Sequence, residues 1–187
     1  MIKKSILLLV NILFLSIAPA QSKAKVKKNK IKTVTVVSTK IEDGETIVKK
    51  EADVYDANGN KTEESVYLND RLEKKETYKY NKQDEVIEHV IYNKDGSVKK
   101  KVQRKYNLDN KVIEELTYNG QDKLLKKELT EYNVFGEKST ETVYDDANKL
   151  IEKSIYKFDK NGLKTERLTY DAQDRLIGKK TYTYTYR

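Results

Sequence analysis

The strongest constraint on this chain is a clock of aromatic residues. They fall at Tyr55, Tyr67, Tyr80, Tyr92, Tyr106, Tyr118, Tyr132, Tyr144, Phe158, Tyr170 and Tyr184. Successive spacings are 12, 13, 12, 14, 12, 14, 12, 14, 12 and 14, which pair into one repeat of 25 and four of 26. The short interval follows Tyr67, where Leu68-Asn69-Asp70-Arg71-Leu72 has one residue fewer than its counterparts. A fixed period of this size marks a tandem array, in which each unit buries surface only against its neighbours.

Every half-repeat has the same grammar. The aromatic is usually followed by Asp or Asn, and four residues after it comes Gly, Asn or Asp. Those positions are Gly59, Asp84, Gly96, Asn110, Asp122, Gly136, Asn148, Gly162 and Asp174. These residue types accept positive φ and bond their own backbone, as tight hairpin connections require. Between the turns lie short runs rich in β-branched and aromatic residues and free of Pro, such as Val86-Ile87-Glu88-His89-Val90-Ile91-Tyr92. No window has sustained helical periodicity. The repeat unit is a β-hairpin, and residues 33–54 read as a worn one around Asp43-Gly44, the atypical cap expected at the end of an array.

Two columns run through the repeats. Lys75, Lys101, Lys127, Lys153 and Lys179 share one position; Glu63, Glu88, Glu114 and Glu166 share another, with Thr140 as the exception. On neighbouring strands such columns are able to pair as ions, if the turn register puts them on one face. The chain is 37% hydrophobic and 36% charged, too little apolar surface for a thick core on either strand face. The expected fold is all-β: tandem hairpins of about 26 residues forming a long twisted antiparallel meander. An open single layer fits better than one curling into a shell.

The leading segment is different. Lys3 and Lys4 precede an apolar run from Ser5 to Ile17, and Ala18-Pro19-Ala20 supplies a small-x-small cleavage pattern, so residues 1–20 read as a signal peptide rather than a retained anchor. That predicts export to the periplasm, the extracellular space or the cell surface, with no membrane span in the processed chain. Residues 21–32 read as a flexible basic tether. Its Lys23, Lys25, Lys27, Lys28, Lys30 and Lys32 are candidates for contact with an anionic surface. They also explain the net charge of +8: with Lys3 and Lys4 they form the whole excess, and from residue 33 onward 30 basic residues face 30 acidic ones. Specific nucleic-acid binding is not expected from a balanced repeat region.

The turns Tyr55-Asp56-Ala57-Asn58-Gly59-Asn60, Phe158-Asp159-Lys160-Asn161-Gly162 and Tyr170-Asp171-Ala172-Gln173-Asp174-Arg175-Leu176 resemble the tyrosine–aspartate (YD) repeats of the RHS family. The resemblance covers roughly residues 33–187. It implies an exported or surface-associated β-repeat protein; some members build shells around toxins, and carbohydrate binding has been attributed to some repeats. This chain is far shorter than the shell-forming members and matches no catalytic residue of the family.

Composition excludes much chemistry. There is no Cys and a single His, His89, whose repeat-equivalents Glu64, Glu115, Glu141 and Arg167 mark a solvated polar position. No nucleophile elbow or phosphate-binding glycine loop is present, and no cofactor or metal is expected. Asp56-Ala57-Asn58-Gly59-Asn60 resembles the start of a calcium loop but lacks its downstream Glu, so a plain hairpin turn is preferred. The expected function is non-enzymatic: a binding surface for a glycan or protein of the cell envelope, with Tyr55, Tyr80, Tyr106, Tyr132, Phe158 and Tyr184 as its ligand face. Thr181-Tyr182-Thr183-Tyr184-Thr185-Tyr186-Arg187 would leave an open sheet edge able to accept a partner strand, which makes a self-assembling element the alternative. A hydrolytic enzyme is the least favoured reading.

Overall fold

A computed structural model describes residues 22–187; the expected signal peptide lies outside the described residues. After a helical turn α1 (Lys23–Lys28), twelve strands follow one another: β1 (Thr33–Glu42), β2 (Glu45–Tyr55), β3 (Lys61–Leu68), β4 (Arg71–Tyr80), β5 (Val86–Tyr92), β6 (Val98–Tyr106), β7 (Val112–Asn119), β8 (Leu124–Tyr132), β9 (Lys138–Tyr144), β10 (Leu150–Phe158), β11 (Lys164–Asp171) and β12 (Leu176–Thr181). They form one antiparallel sheet in strict sequence order, β1 at one edge and β12 at the other. The sheet is open and single-layered, as the repeat grammar predicts.

The turns follow from residue chemistry. All nine predicted positions have positive φ, from 57° at Asp174 to 84° at Gly96. In eight of these turns the Asp or Asn after the aromatic accepts two backbone N–H groups through Oδ1; Asn107 takes those of Asp109 at 3.0 Å and Lys111 at 2.9 Å. The short interval after Tyr67 becomes a two-residue turn with Asn69 and Asp70 at φ 47° and 61°, and Asp43-Gly44 makes another at 50° and 83°.

Opposite each repeat aromatic the register slips by one. Lys105 pairs with Glu114 but Tyr106 pairs with Val112, leaving Ile113 as an extra residue; Tyr132 and Tyr170 leave Ser139 and Ile177 in the same way. These are β-bulges, which make room for the ring and increase local twist. They also put Ile113, Leu125, Ile151 and Ile177 among the exposed aliphatic residues.

There is almost no apolar interior. The buried hydrophobic residues are Val26, Tyr55, Val90, Val102 and Val143, and polar Asn60, Ser65, Thr117 and Ser154 are buried with them. Cohesion therefore comes from ladders between neighbouring strands.

One segment departs from expectation. Residues 21–32 were expected to be a flexible tether; instead α1 packs on the β2–β3 turn. Val26 is only 1% exposed, and Lys23 Nζ lies 2.8 Å from Asp84 Oδ2 in the β4–β5 turn. Gly59 makes the close approach possible, because a Cβ there would lie 2.7 Å from the Lys23 carbonyl oxygen. Asn60 Nδ2 bridges beneath it to Asp56 at 3.1 Å and Asp84 at 2.6 Å. Six basic or apolar residues cannot form a stable helix alone, and the turn beneath supplies the missing contacts.

Candidate functional site

The aromatic clock separates into two columns with different tasks. In the first, hydroxyls latch onto the first residue of the strand before: Tyr80 donates to the Lys61 carbonyl at 2.6 Å, Tyr106 to Val86 at 2.8 Å, Tyr132 to Val112 at 2.9 Å and Tyr184 to Lys164 at 2.8 Å. Tyr55 donates to Asp53 at 3.2 Å. These five, with Phe158, are the residues expected to form a ligand face. The structure does align them, but it spends their hydroxyls on the fold.

The second column carries cations. Lys50, Lys75, Lys101 and Lys127 sit over the rings of Tyr67, Tyr92, Tyr118 and Tyr144 at 5.9, 5.5, 4.8 and 5.6 Å. This corrects the expected role of the Lys column. Only Lys75 and Lys179 pair with the Glu column, reaching Glu63 at 3.2 Å and Glu166 at 2.7 Å. Glu88, Glu114 and Glu166 are instead met by Lys79, Lys105 and Lys157, directly opposite, at 2.6, 2.6 and 2.9 Å. Two ammonium groups thus converge on Glu166, that of Lys179 and that of Lys157, and pull its carboxyl down to about 2.

His89 lies in a row of ion pairs rather than in open solvent. Its Nε2 is 2.8 Å from Glu76 Oε2, and its ring stacks on Tyr78 at 4.7 Å. Tyr78 donates to the same carboxylate at 2.7 Å, and Lys74 links Glu76 to Glu64. Burial works against ionised Glu76, but hydrogen bonds from Tyr78 and His89 and the nearby Lys74 outweigh it and hold the carboxyl below its ordinary range. Burial first, then the Glu76 carboxylate, pushes the Tyr78 hydroxyl upward. Both side chains are committed to structure. The same geometry recurs at Glu141, which accepts from Tyr156 at 2.7 Å while Lys138, Lys164 and Arg167 surround the Tyr156 ring.

In the Asp56 turn Oδ1 accepts the backbone N–H groups of Asn58 at 2.9 Å and Asn60 at 2.8 Å, the same pattern as the other hairpin turns. Among the described residues no group of three or more His, Asp or Glu side chains is placed to hold a metal. Of the basic candidates, Lys23 is paired with Asp84. Lys25, Lys27, Lys28, Lys30 and Lys32 are exposed and in no ion pair among the described residues. None of the described helices is long and apolar enough to cross a membrane.

Tyr55 and Phe158 both depart from the latch, Tyr55 by bonding Asp53 on its own strand. Phe158 has no hydroxyl to offer the Lys138 carbonyl that occupies the latch position. Around it the β8–β9 and β10–β11 turns form a cleft lined by the aromatic Phe158, Tyr156 and Phe135 together with Asn133, Glu137, Ser139 and Lys160. Phe135 is 85% exposed and its neighbour Val134 is 94% exposed. A related cleft lies at Tyr106, walled by Leu108 and Ile113 and flanked by Arg104, but its aromatic is latched. The sequence signal for the unusual rung was present as the single Phe in a Tyr column.

The fold and these columns define a single-layer β-hairpin repeat protein. No protein-family model matches the chain, and no curated protein does. Among solved structures, a porin-like protein from Bacteroides uniformis is similar at 12% identity and a TM-score of 0.38, over 81% of this chain and 56% of that one. A Tc holotoxin pore of Photorhabdus luminescens is similar at 12% identity and 0.42, and a TcdB2–TccC3–Cdc42 structure at 13% and 0.44, each over 79% of this chain and 9% of that one. This chain thus spans about half of the first and a small part of the others.

Proposed function

We propose that the chain is an exported, non-enzymatic repeat protein that holds a glycan or protein ligand of the cell envelope in the cleft at Phe158. The observation that carries this reading is that Phe158, which has no hydroxyl to latch, and the exposed Phe135 line the same cleft. Aromatic rings and polar side chains lining one cleft suit a ligand that stacks on the first and hydrogen-bonds to the second. The sole imidazole and the paired carboxylates are engaged in ladders, which supports a binding role over catalysis. The export pattern in residues 1–20 supports the envelope as the setting.

The test compares envelope fractions and purified envelope glycans retained by the wild-type protein with those retained by Phe135→Ala. The expected result is a ligand bound by the wild type and lost by the variant, with the β-sheet circular dichroism unchanged. Retention of the same ligands by both proteins would overturn the cleft as the site.

A further inference from the structure

We propose that copies of this chain join head to tail, β1 of one copy adding to the outer edge of β12 of the next so that the sheet continues. Among the described residues nothing pairs with either outer edge. Neither edge carries a Pro, and β1 is almost wholly Thr, Val, Ser and Ile, with Lys40 and Glu42 confined to its turn end. Edge strands of this kind accept partners unless something blocks them.

The repeat itself specifies the joint. Each even-numbered strand meets the next odd one in a constant register, with Ile155 opposite Leu168, Tyr156 opposite Arg167 and Lys157 opposite Glu166. Thr181, Tyr182 and Thr183 follow the first member of each pair by 26 residues. On the other side, Thr35 faces Ala52, three residues before Tyr55, just as Glu63 faces Thr77, three before Tyr80. Thr35 therefore holds the place of Glu63 and Glu166. In the continued register Thr181 meets Val37, Tyr182 meets Val36, Thr183 meets Thr35 and Lys179 meets Thr39. No like charges are opposed, and β-branched and aromatic pairs of this kind favour strand pairing.

The receiving edge is held in line. Although β12 ends at Thr181, the Tyr182 N–H still donates to the Thr165 carbonyl at 3.0 Å and the Tyr184 hydroxyl to Lys164 at 2.8 Å. The inner side of residues 182–184 is thus engaged with β11 and only the outer side is empty. Val37 on β1 and Leu176 on β12 are exposed, whereas their equivalents on interior strands, Leu168 and Leu150, are partly covered. The joint uses two different surfaces, so each joined pair still presents a free β1 edge and a free β12 edge to which further copies can add.

Sedimentation of the full chain across a concentration series tests this. Wild type is expected to form concentration-dependent oligomers. Thr35→Glu with Thr183→Glu opposes two carboxylates and weakens association by about five-fold. Thr35→Glu with Thr183→Lys recreates the Lys157–Glu166 pairing and restores it. A wild type that stays monomeric up to millimolar concentration overturns the proposal, as does equal association of the two double variants while both keep their β-sheet circular dichroism. Should the Glu/Glu protein fail to fold, the Glu/Lys protein compared with each single variant decides in its place, and absence of rescue overturns the joint.

Discussion

Thr140 faces Glu131 across β8 and β9, at the position where Glu88, Glu114 and Glu166 face Lys79, Lys105 and Lys157. The two departures from the column thus occur opposite each other, and together they avoid setting Glu against Glu.

Thr140→Glu should therefore lower stability by about 0.2–1 kcal/mol, because like charges directly opposite on adjacent strands repel. Adding Glu131→Lys should return the protein to wild-type stability or above. Urea midpoints of the two variants check this; equal midpoints would show that the cross-strand pair has no energetic weight.

The latch makes an opposite pair of predictions. Tyr106→Phe removes the hydrogen bond to Val86 and should cost about 0.5–1.5 kcal/mol. Phe158→Tyr offers a hydroxyl to the Lys138 carbonyl and should gain a similar amount while narrowing the cleft. Thermal denaturation reads the sign of each change, and ligand retention by Phe158→Tyr reads the cleft.

Gly59 and Gly96 both have positive φ, 82° and 84°, but only Gly59 has the α1 backbone against it. Gly59→Ala should therefore destabilise more than Gly96→Ala, whose added methyl meets nothing within 4 Å and pays only about 1–2 kcal/mol of left-handed strain. Hydrogen exchange should locate the difference, with the Ile31 amide, bonded to Val26 at 3.0 Å, losing protection in the first variant alone.

Acid should act through the carboxylates of the ladders. Glu166 is held at about 2 against an ordinary 4.5, so its contribution to stability is complete above about 4.5 and is lost as pH falls toward about 2. Glu64, Glu76 and Glu141 are shifted in the same direction. Unfolding followed by circular dichroism should show a falling midpoint across that window, and Lys157→Gln with Lys179→Gln should flatten the Glu166 part of it.

The hairpin array was readable because each turn needs a residue able to adopt positive φ, and Gly59 through Asp174 announce themselves by type. The hydroxyl-free rung was also visible, as Phe158 among tyrosines. The partners of the Lys column were not, because the bulge residue opposite every aromatic shifts the register and sets Lys101 over Tyr118 and against the Asp122 carboxylate of the next turn instead of a Glu of its column. Nor was α1, since residues 23–28 have only Ala24 and Val26 as apolar side chains; what orders them is Gly59 and Asp84, far along the chain.

Because each strand touches only its neighbours, the molecule has the makings of an extensible element. Tension applied across the strands would open hairpins in turn from an edge rather than breaking one core at once. Each unit of 26 residues would release roughly 80 Å of chain, at about 3.4 Å per residue less the two strand spacings it occupied. A protein built this way yields stepwise under load and can regain its length one hairpin at a time.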